Sequence, residues 1–216
     1  MKQLLFITHR KPDYGYVESA RLALKGGCRW IQLRMKNATE KEIENNLRQL
    51  KPLCAGYSAT LILNDHTGIA LRMGIDGVHL GKNDMDVAEA RKLAGKGFII
   101  GGTANTFNDI VTLVGKKADY IGLGPFRFTT TKEKLSPVLG IEGYQNILAQ
   151  CCKAGIDIPI IAIGGILRED IPTLLQTGVA GIAVSSGILA AADPVRETKR
   201  IIETLNMSIK KMKYTL

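Results

Sequence analysis

Five charged residues stand where apolar runs of the chain end. Arg34 and Lys36 follow Trp30–Leu33, Asp65 follows Thr60–Leu63 and Asn64, Asp84 follows Gly77–Leu80, and Lys132 lies in the stretch after Tyr120–Leu123. Two carboxylates on neighbouring runs, with two cations close by, have the composition of a divalent-cation site. Mg2+ takes one or two carboxylates and fills its shell with water and phosphate oxygens. Taken singly, Asp84 reads equally well as a helix N-cap, and Asn64-Asp65 as turn chemistry. A second set is uncharged: Gly164-Gly165 after Ile160–Ile163, and Ser185-Ser186-Gly187 after Gly181–Val184. Glycine lets backbone N–H groups approach an anion and serine adds hydroxyl donors, so these two turns suit a phosphate monoester. Thr129, Thr130 and Thr131 precede Lys132 within Phe126–Gly140, a stretch long enough to close over a bound phosphate. His79 reads as a packed core histidine, since no second histidine lies near enough to form a metal pair.

These residues need elements that bring them to one place. Short β-branched runs recur at Leu4–Thr8, Trp30–Leu33, Thr60–Leu63, Gly77–Leu80, Phe98–Gly101, Tyr120–Leu123, Ile160–Ile163 and Gly181–Val184. Helix-period segments lie between them at Val17–Lys25, Thr39–Leu50, Val87–Leu93, Asn108–Val114, Glu142–Cys152, Arg168–Leu175 and Pro194–Leu205. Thr39 with Glu42 forms a capping-box pattern, and Asp193 precedes Pro194 at a favoured first helical position. Strands apolar on both faces are parallel strands covered by helices. Eight such units predict an α/β fold, a (β/α)8 TIM barrel, in which strand C-termini carry the functional groups. An open doubly wound sheet is the alternative, but the first strand leads into Thr8-His9-Arg10-Lys11 without its glycine-rich turn. Alternation points Gln32, Arg34 and Lys36 one way and Leu33 and Met35 toward the helices.

Composition excludes several classes. The chain has 216 residues, 45% of them hydrophobic, with 23 Gly and 7 Pro, which is incompatible with disorder and sufficient for one sizeable core. No composition break divides it, so residues 1–216 are expected to form one domain with a short basic tail from about residue 207. The apolar stretches Ile158–Leu167 and Gly178–Ala192 are too short to span a bilayer, and Leu4–Ile7 is too short for a secretory core. A cytoplasmic protein without membrane partners is expected. Four cysteines, two of them adjacent, form neither a disulfide framework nor a zinc pattern. The net charge of +9 suits nucleic acid as well as phosphorylated substrates. The one dense basic run, Lys210, Lys211 and Lys213, has no interleaved aromatic platform, which argues against nucleic acid. A homo-oligomer is compatible with these features.

No Ser-His-Asp set or reactive-cysteine motif is present. The residues read as a transferase in which electrostatics stabilise a departing diphosphate while a phosphorylated acceptor sits at the glycine–serine turns. At these same residues the chain resembles the thiamine-phosphate synthases, also called thiamine-phosphate pyrophosphorylases. The resemblance runs from the first strand to the last helix. It is carried by Gln32-Leu33-Arg34-Met35-Lys36, Asn64-Asp65, Asp76–Gly81 with Asp84, Ala118–Pro125 with Thr129–Lys132, Ala162–Ile166 and Gly181–Ile188. It implies the same barrel and the joining of an aminopyrimidine methyl diphosphate to a thiazole phosphate, with Mg2+.

The resemblance further implies a site for the pyrimidine diphosphate made by the run Gln32, Leu33, Arg34, Met35 and Lys36 with Asn64, Thr103 and Lys132. Arg34, Lys36 and Lys132 are the catalytic cations. Asp65 and Asp84 hold the metal, and Thr129, Thr130, Thr131, Gly165, Ser185 and Ser186 line the thiazole phosphate site. The implied mechanism is dissociative, so no general base is needed. Met35, Thr103, Asn105 and His66 depart from the family's usual Glu, Ser, His, and Arg, Lys or acid at these places. The competing readings are a thiazole tautomerase paralogue, which depends on a histidine near the position of Asn105, and a non-catalytic phosphate-binding regulator.

Overall fold

The computed structural model describes residues 3–128 and 137–213. Strands β1 (Leu4–Ile7), β2 (Trp30–Leu33), β3 (Thr60–Asn64), β4 (Gly77–Leu80), β5 (Ile99–Ala104), β6 (Tyr120–Leu123), β7 (Ile160–Ile163) and β8 (Gly181–Val184) run parallel in sequence order. Leu4, Leu5 and Phe6 pair with Ile182, Ala183 and Val184, so β8 returns to β1 and the sheet closes into an eight-stranded barrel. Helices α1 (Tyr16–Lys25), α2 (Glu40–Gly56), α3 (Thr67–Met73), α4 (Val87–Ala94), α5 (Phe107–Gly115), α6 (Gly140–Lys153), α7 (Ile171–Gln176), α8 (Ser186–Leu189) and α9 (Pro194–Lys213) surround it. Among the described residues no helix is long and apolar enough to cross a membrane.

The expected capping box is formed: the Thr39 hydroxyl accepts from the Glu42 N–H while the Glu42 carboxylate accepts from the Thr39 N–H. Asp193 likewise accepts from the Arg196 N–H at 2.9 Å. Several elements differ from the sequence expectation, among them α3, β5 and α9. α3 was not foreseen, because its seven residues include Gly68 and are too few to show a period. β5 starts after Phe98 and continues to Ala104, which brings Thr103 onto the strand itself. α9 does not stop at Leu205; it runs to Lys213, so most of the segment expected as a basic tail is helical.

The period of two along the strands separates two cores. Leu4, Phe6, Ile31, Leu33, Leu61, Leu63, Val78, Leu80, Ile121 and Leu123 pack outward with the helices. Leu5, Ile7, Trp30, Ile62, Tyr120, Ile161 and Ala183 fill the barrel. An eight-stranded interior is only wide enough for side chains, so bulky groups need small neighbours. Trp30 meets Tyr120 edge to face at 4.8 Å between ring centroids, and the Tyr120 hydroxyl bonds His79 Nδ1 at 2.9 Å. Gly101, the register partner of Tyr120, makes the room: a Cβ there would lie 2.1 Å from Tyr120 Cζ.

Tyr120 is held on both sides, so Gly101→Ala cannot be absorbed by a rotamer change. The substitution is expected to cost about 1–3 kcal/mol, the usual range for overpacking, read as a lower urea midpoint at unchanged slope. A midpoint equal to that of the unaltered protein would show that the interior is looser than this packing implies.

Candidate active site

The C-terminal ends of all eight strands open on one rim. A cleft there is lined by residues from seven of the eight strands or their ends, among them Arg34, His79, Thr103, Gly165 and Ser185. Strand parity selects them: Gln32 and Arg34 share the inward face of β2, as His79 does on β4 and Thr103 on β5. The Arg34 N–H donates to Thr8 Oγ1 at 3.1 Å, which fixes the chain as it leaves β2.

Next to Arg34, at the edge of the cleft, lie the two carboxylates. Gln32 Nε2 donates to Asn64 Oδ1 at 2.7 Å, and the Asn64 side chain bonds Asp65. Asp65 has a left-handed backbone, φ 71°, which turns its side chain out of the strand register. Its carboxyl is close enough to share a hydrogen bond with that of Asp84. Burial first, and the Asp84 carboxylate second, push Asp65 up to about 7; the Asn64 bond and the Arg34 charge oppose this less strongly. Asp84 is not a helix cap. That role is taken by Asp86, whose carboxylate accepts from the Ala88 N–H at 2.9 Å at the start of α4. Asp84 instead accepts from the Gly81 N–H at 2.5 Å, closing the β4 turn toward Asp65. The turn-chemistry reading of Asp65 is half met, since Asp is one of the few side chains that tolerate φ > 0.

Two acids forced together in a half-buried place suit a divalent cation, which removes their repulsion. Among the described residues no group of three or more His, Cys, Asp or Glu converges. A cation here would therefore have two carboxylate ligands and take its remaining oxygens from water or substrate, as Mg2+ does.

On the other side lies the glycine–serine pair of turns. Gly164 and Gly165 have φ 101° and 66°, and a Cβ on either would meet the β6 loop within 2.7 Å. Ser185 Oγ is buried and, among the described residues, has no hydrogen-bond partner. Buried hydroxyls are normally satisfied, so this one marks a place for an absent acceptor. Ser186, beside it, is exposed.

Between the two sides, His79 Nε2 is 3.0 Å from Thr103 Oγ1. The histidine is buried in the barrel, as expected, but it also reaches a residue of the cleft. Asn105 Nδ2 donates to the Gly124 carbonyl, tying β5 to β6. Lys36 is exposed at the rim. Leu33 is fully buried against the helices and Met35 packs on the same outer core, so neither side chain faces the cleft. Thr129, Thr130, Thr131 and Lys132 lie outside the described residues. Arg127 and Asp170, which sequence reasoning missed, form a bidentate pair beside Gly165, 43 residues apart in the chain.

A family described as thiamine monophosphate synthase matches residues 4–188. The thiamine-phosphate synthase of Bacteroides fragilis is 60% identical over 202 residues, covering 94% of this chain and 99% of that protein. That of Bacteroides thetaiotaomicron is 58% identical over 202 residues, with 94% and 97% covered. A solved thiamine phosphate pyrophosphorylase from Pyrococcus furiosus superposes with a TM-score of 0.83 at 34% identity, covering 95% of this chain and 96% of that one.

The Asp65–Asp84 contact has a measurable sign. With Asp65 raised from 3.8 to about 7, the metal-free folded protein holds a proton that the unfolded chain has shed across that window. This group's contribution is full below the unfolded value and lost as pH rises through 7. Asp65→Asn keeps a residue suited to φ > 0 and removes the repulsion. In chelator-treated protein it is expected to raise Tm by a few degrees near pH 8, with the gain shrinking toward pH 4. A Tm unchanged or lowered at pH 8 would mean that the two carboxylates do not oppose each other.

Proposed function

The chain belongs to the thiamine monophosphate synthase family, and from that membership we propose the reaction it catalyses. It condenses 4-amino-2-methyl-5-(diphosphooxymethyl)pyrimidine with 4-methyl-5-(2-phosphooxyethyl)thiazole, or its carboxylated form, giving thiamine phosphate and diphosphate. The observation that carries this reading is a single cleft with two different anion-handling sides. One has the unpartnered Ser185 hydroxyl beside a glycine turn, and the other the Asp65–Asp84 pair beside Arg34.

In this reading the acceptor's phosphate monoester takes the Ser185 hydroxyl, with Gly165 and Ser186 alongside. The pyrimidine diphosphate lies toward Arg34, Lys36, Asn64 and Thr103, with Gln32 holding Asn64. Asp65 and Asp84 would hold Mg2+, which when bound supplies Lewis-acid stabilisation of charge on the diphosphate. Arg34 and Lys36, with Lys132, stabilise the same charge as the C–O bond to the pyrimidine methylene breaks. The thiazole nitrogen then forms the new C–N bond with its own lone pair, so no protein base is required. The side chain of Asn105 fits this chemistry and not a proton shuttle, because an amide nitrogen does not titrate near neutrality. Thr103 keeps a hydroxyl, and the His79 ring fixes where that hydroxyl points.

The direct test is purified protein with both substrates and Mg2+, monitored for thiamine phosphate and diphosphate together. Thiazole isomerisation without metal or pyrimidine, and without product, would overturn the synthase reading in favour of a tautomerase.

Two substitutions test the sides separately. Ser185→Ala removes a hydroxyl that is unpaired among the described residues, so Tm should hold or rise while KM for the thiazole phosphate increases about tenfold. KM for the pyrimidine diphosphate should change less than about twofold, since uniform binding is lost at one substrate only. Asp84→Asn should instead shift the Mg2+ titration to higher concentration and lower kcat, the metal being among the largest charges in such a site. Equal effects of both variants on both substrates would mean that the two sides are not distinct.

A further inference from the structure

The Gly164–Gly165 turn is held from outside the cleft by a side chain given no role so far. Arg127 lies just past β6, and among the described residues its guanidinium makes three hydrogen bonds: Nη1 to the Gly165 carbonyl at 2.8 Å, Nη1 to Asp170 Oδ2 at 2.7 Å, and Nη2 to Asp170 Oδ1 at 2.9 Å. Asp170 Oδ2 also accepts from the Leu167 N–H at 2.8 Å, which closes the turn leading into α7. The Arg127 stem lies across Gly165, where a Cβ would be 2.4 Å from Arg127 Cγ. The guanidinium carbon is 5.0 Å from the centre of the Phe126 ring, which limits its swing. Backbone bonds from Phe126 N–H to Ile163 O and from Arg127 N–H to Gly164 O carry the β6–β7 ladder beyond both strands.

These contacts have a directional consequence. In a planar trans peptide the carbonyl and the following N–H point opposite ways. Holding the Gly165 carbonyl on Arg127 therefore directs the Ile166 N–H away from Arg127. Gly164, Gly165 and Ile166 all line the cleft together with Ser185. A bidentate Arg–carboxylate pair fixes orientation in a plane, which a lysine or a single hydrogen bond does not.

We propose that Arg127, through its bidentate pair with Asp170, is a positioning residue that sets the Gly164–Ile166 turn to receive the phosphate monoester of the acceptor substrate. The proposal rests on the reading of that turn as the acceptor's phosphate site. Arg127 itself need not touch substrate, because its charge is spent on Asp170 and the Gly165 carbonyl. Its effect is on one substrate and on binding rather than on the bond-breaking step.

Steady-state kinetics on Arg127→Met and Asp170→Asn, with Arg127→Lys for rescue, test this. Each of the first two should raise KM for the thiazole phosphate about tenfold while kcat and KM for the pyrimidine diphosphate stay within about twofold. The double variant should be no worse than the poorer single, since both remove one interaction. Arg127→Lys should recover only part, having a point charge in place of a planar fork. Inorganic phosphate, titrated calorimetrically, supplies a readout independent of turnover: the full-length protein binds it, and Arg127→Met and Asp170→Asn bind it about tenfold more weakly. If no thiamine phosphate forms but this loss is seen, the synthase reading fails and the positioning role stands. Unchanged acceptor KM and phosphate affinity in both variants overturn the positioning role. So does a parallel loss in both substrates and kcat, which is the signature of general destabilisation.

Discussion

The ladder between Leu4–Phe6 and Ile182–Val184 is the interaction on which the remaining architecture depends. Without it the strands would form an open twisted sheet, and β2, β3 and β4 would face away from β7 and β8. Closure turns eight strand ends into one rim, and so makes neighbours of Arg34, Asp65 and Asp84 on one side and Gly165 and Ser185 on the other. It also imposes a size limit. The interior admits Trp30, Tyr120 and His79 only because Gly101 and Gly122 leave space beside the two rings. The same packing that fills the barrel thereby sets the floor of the cleft, since His79 passes from Tyr120 below to Thr103 above.

The rim carries the features that cost stability. Asp65 combines φ 71° with burial beside a like charge, and Ser185 keeps an unpartnered buried hydroxyl. At the opposite end of the barrel, carboxylates satisfy backbone donors instead: Asp76 accepts from the Leu61 N–H and Asp119 from the Ile100 N–H, each at 2.7 Å. The contrast is one of completeness. The two base carboxylates find partners within the chain, while Ser185 and the Asp65–Asp84 pair at the rim are left for groups that the described residues do not supply.

The parts legible in the sequence were those governed by local periods. Strand alternation separated Gln32 and Arg34 from Leu33 and Met35, and the structure places Gln32 in contact with Asn64 and Leu33 against the helices. The sequence offered Asp84 as a cap, but Asp86 caps α4 and Asp84 closes the Gly81 turn instead. The length of α9 was missed because Met207 and Met212 break the apolar period, both being exposed, while the helix runs on. Arg127 and Asp170 were invisible for a different reason. Their meaning lies in a contact between two loops, and neither residue is unusual where it stands.

The closing seam also has a history within each molecule. β1 is the first strand to be synthesised and its partner β8 the last, so the edge Leu4-Leu5-Phe6-Ile7 must wait while some 170 residues are added. During that interval an apolar strand edge is open to pairing with another chain. The seam that completes the barrel is thus also a place where a half-made chain is exposed to aggregation. Chaperone demand in the cell should track the time taken to translate β8 more closely than the stability of the finished fold.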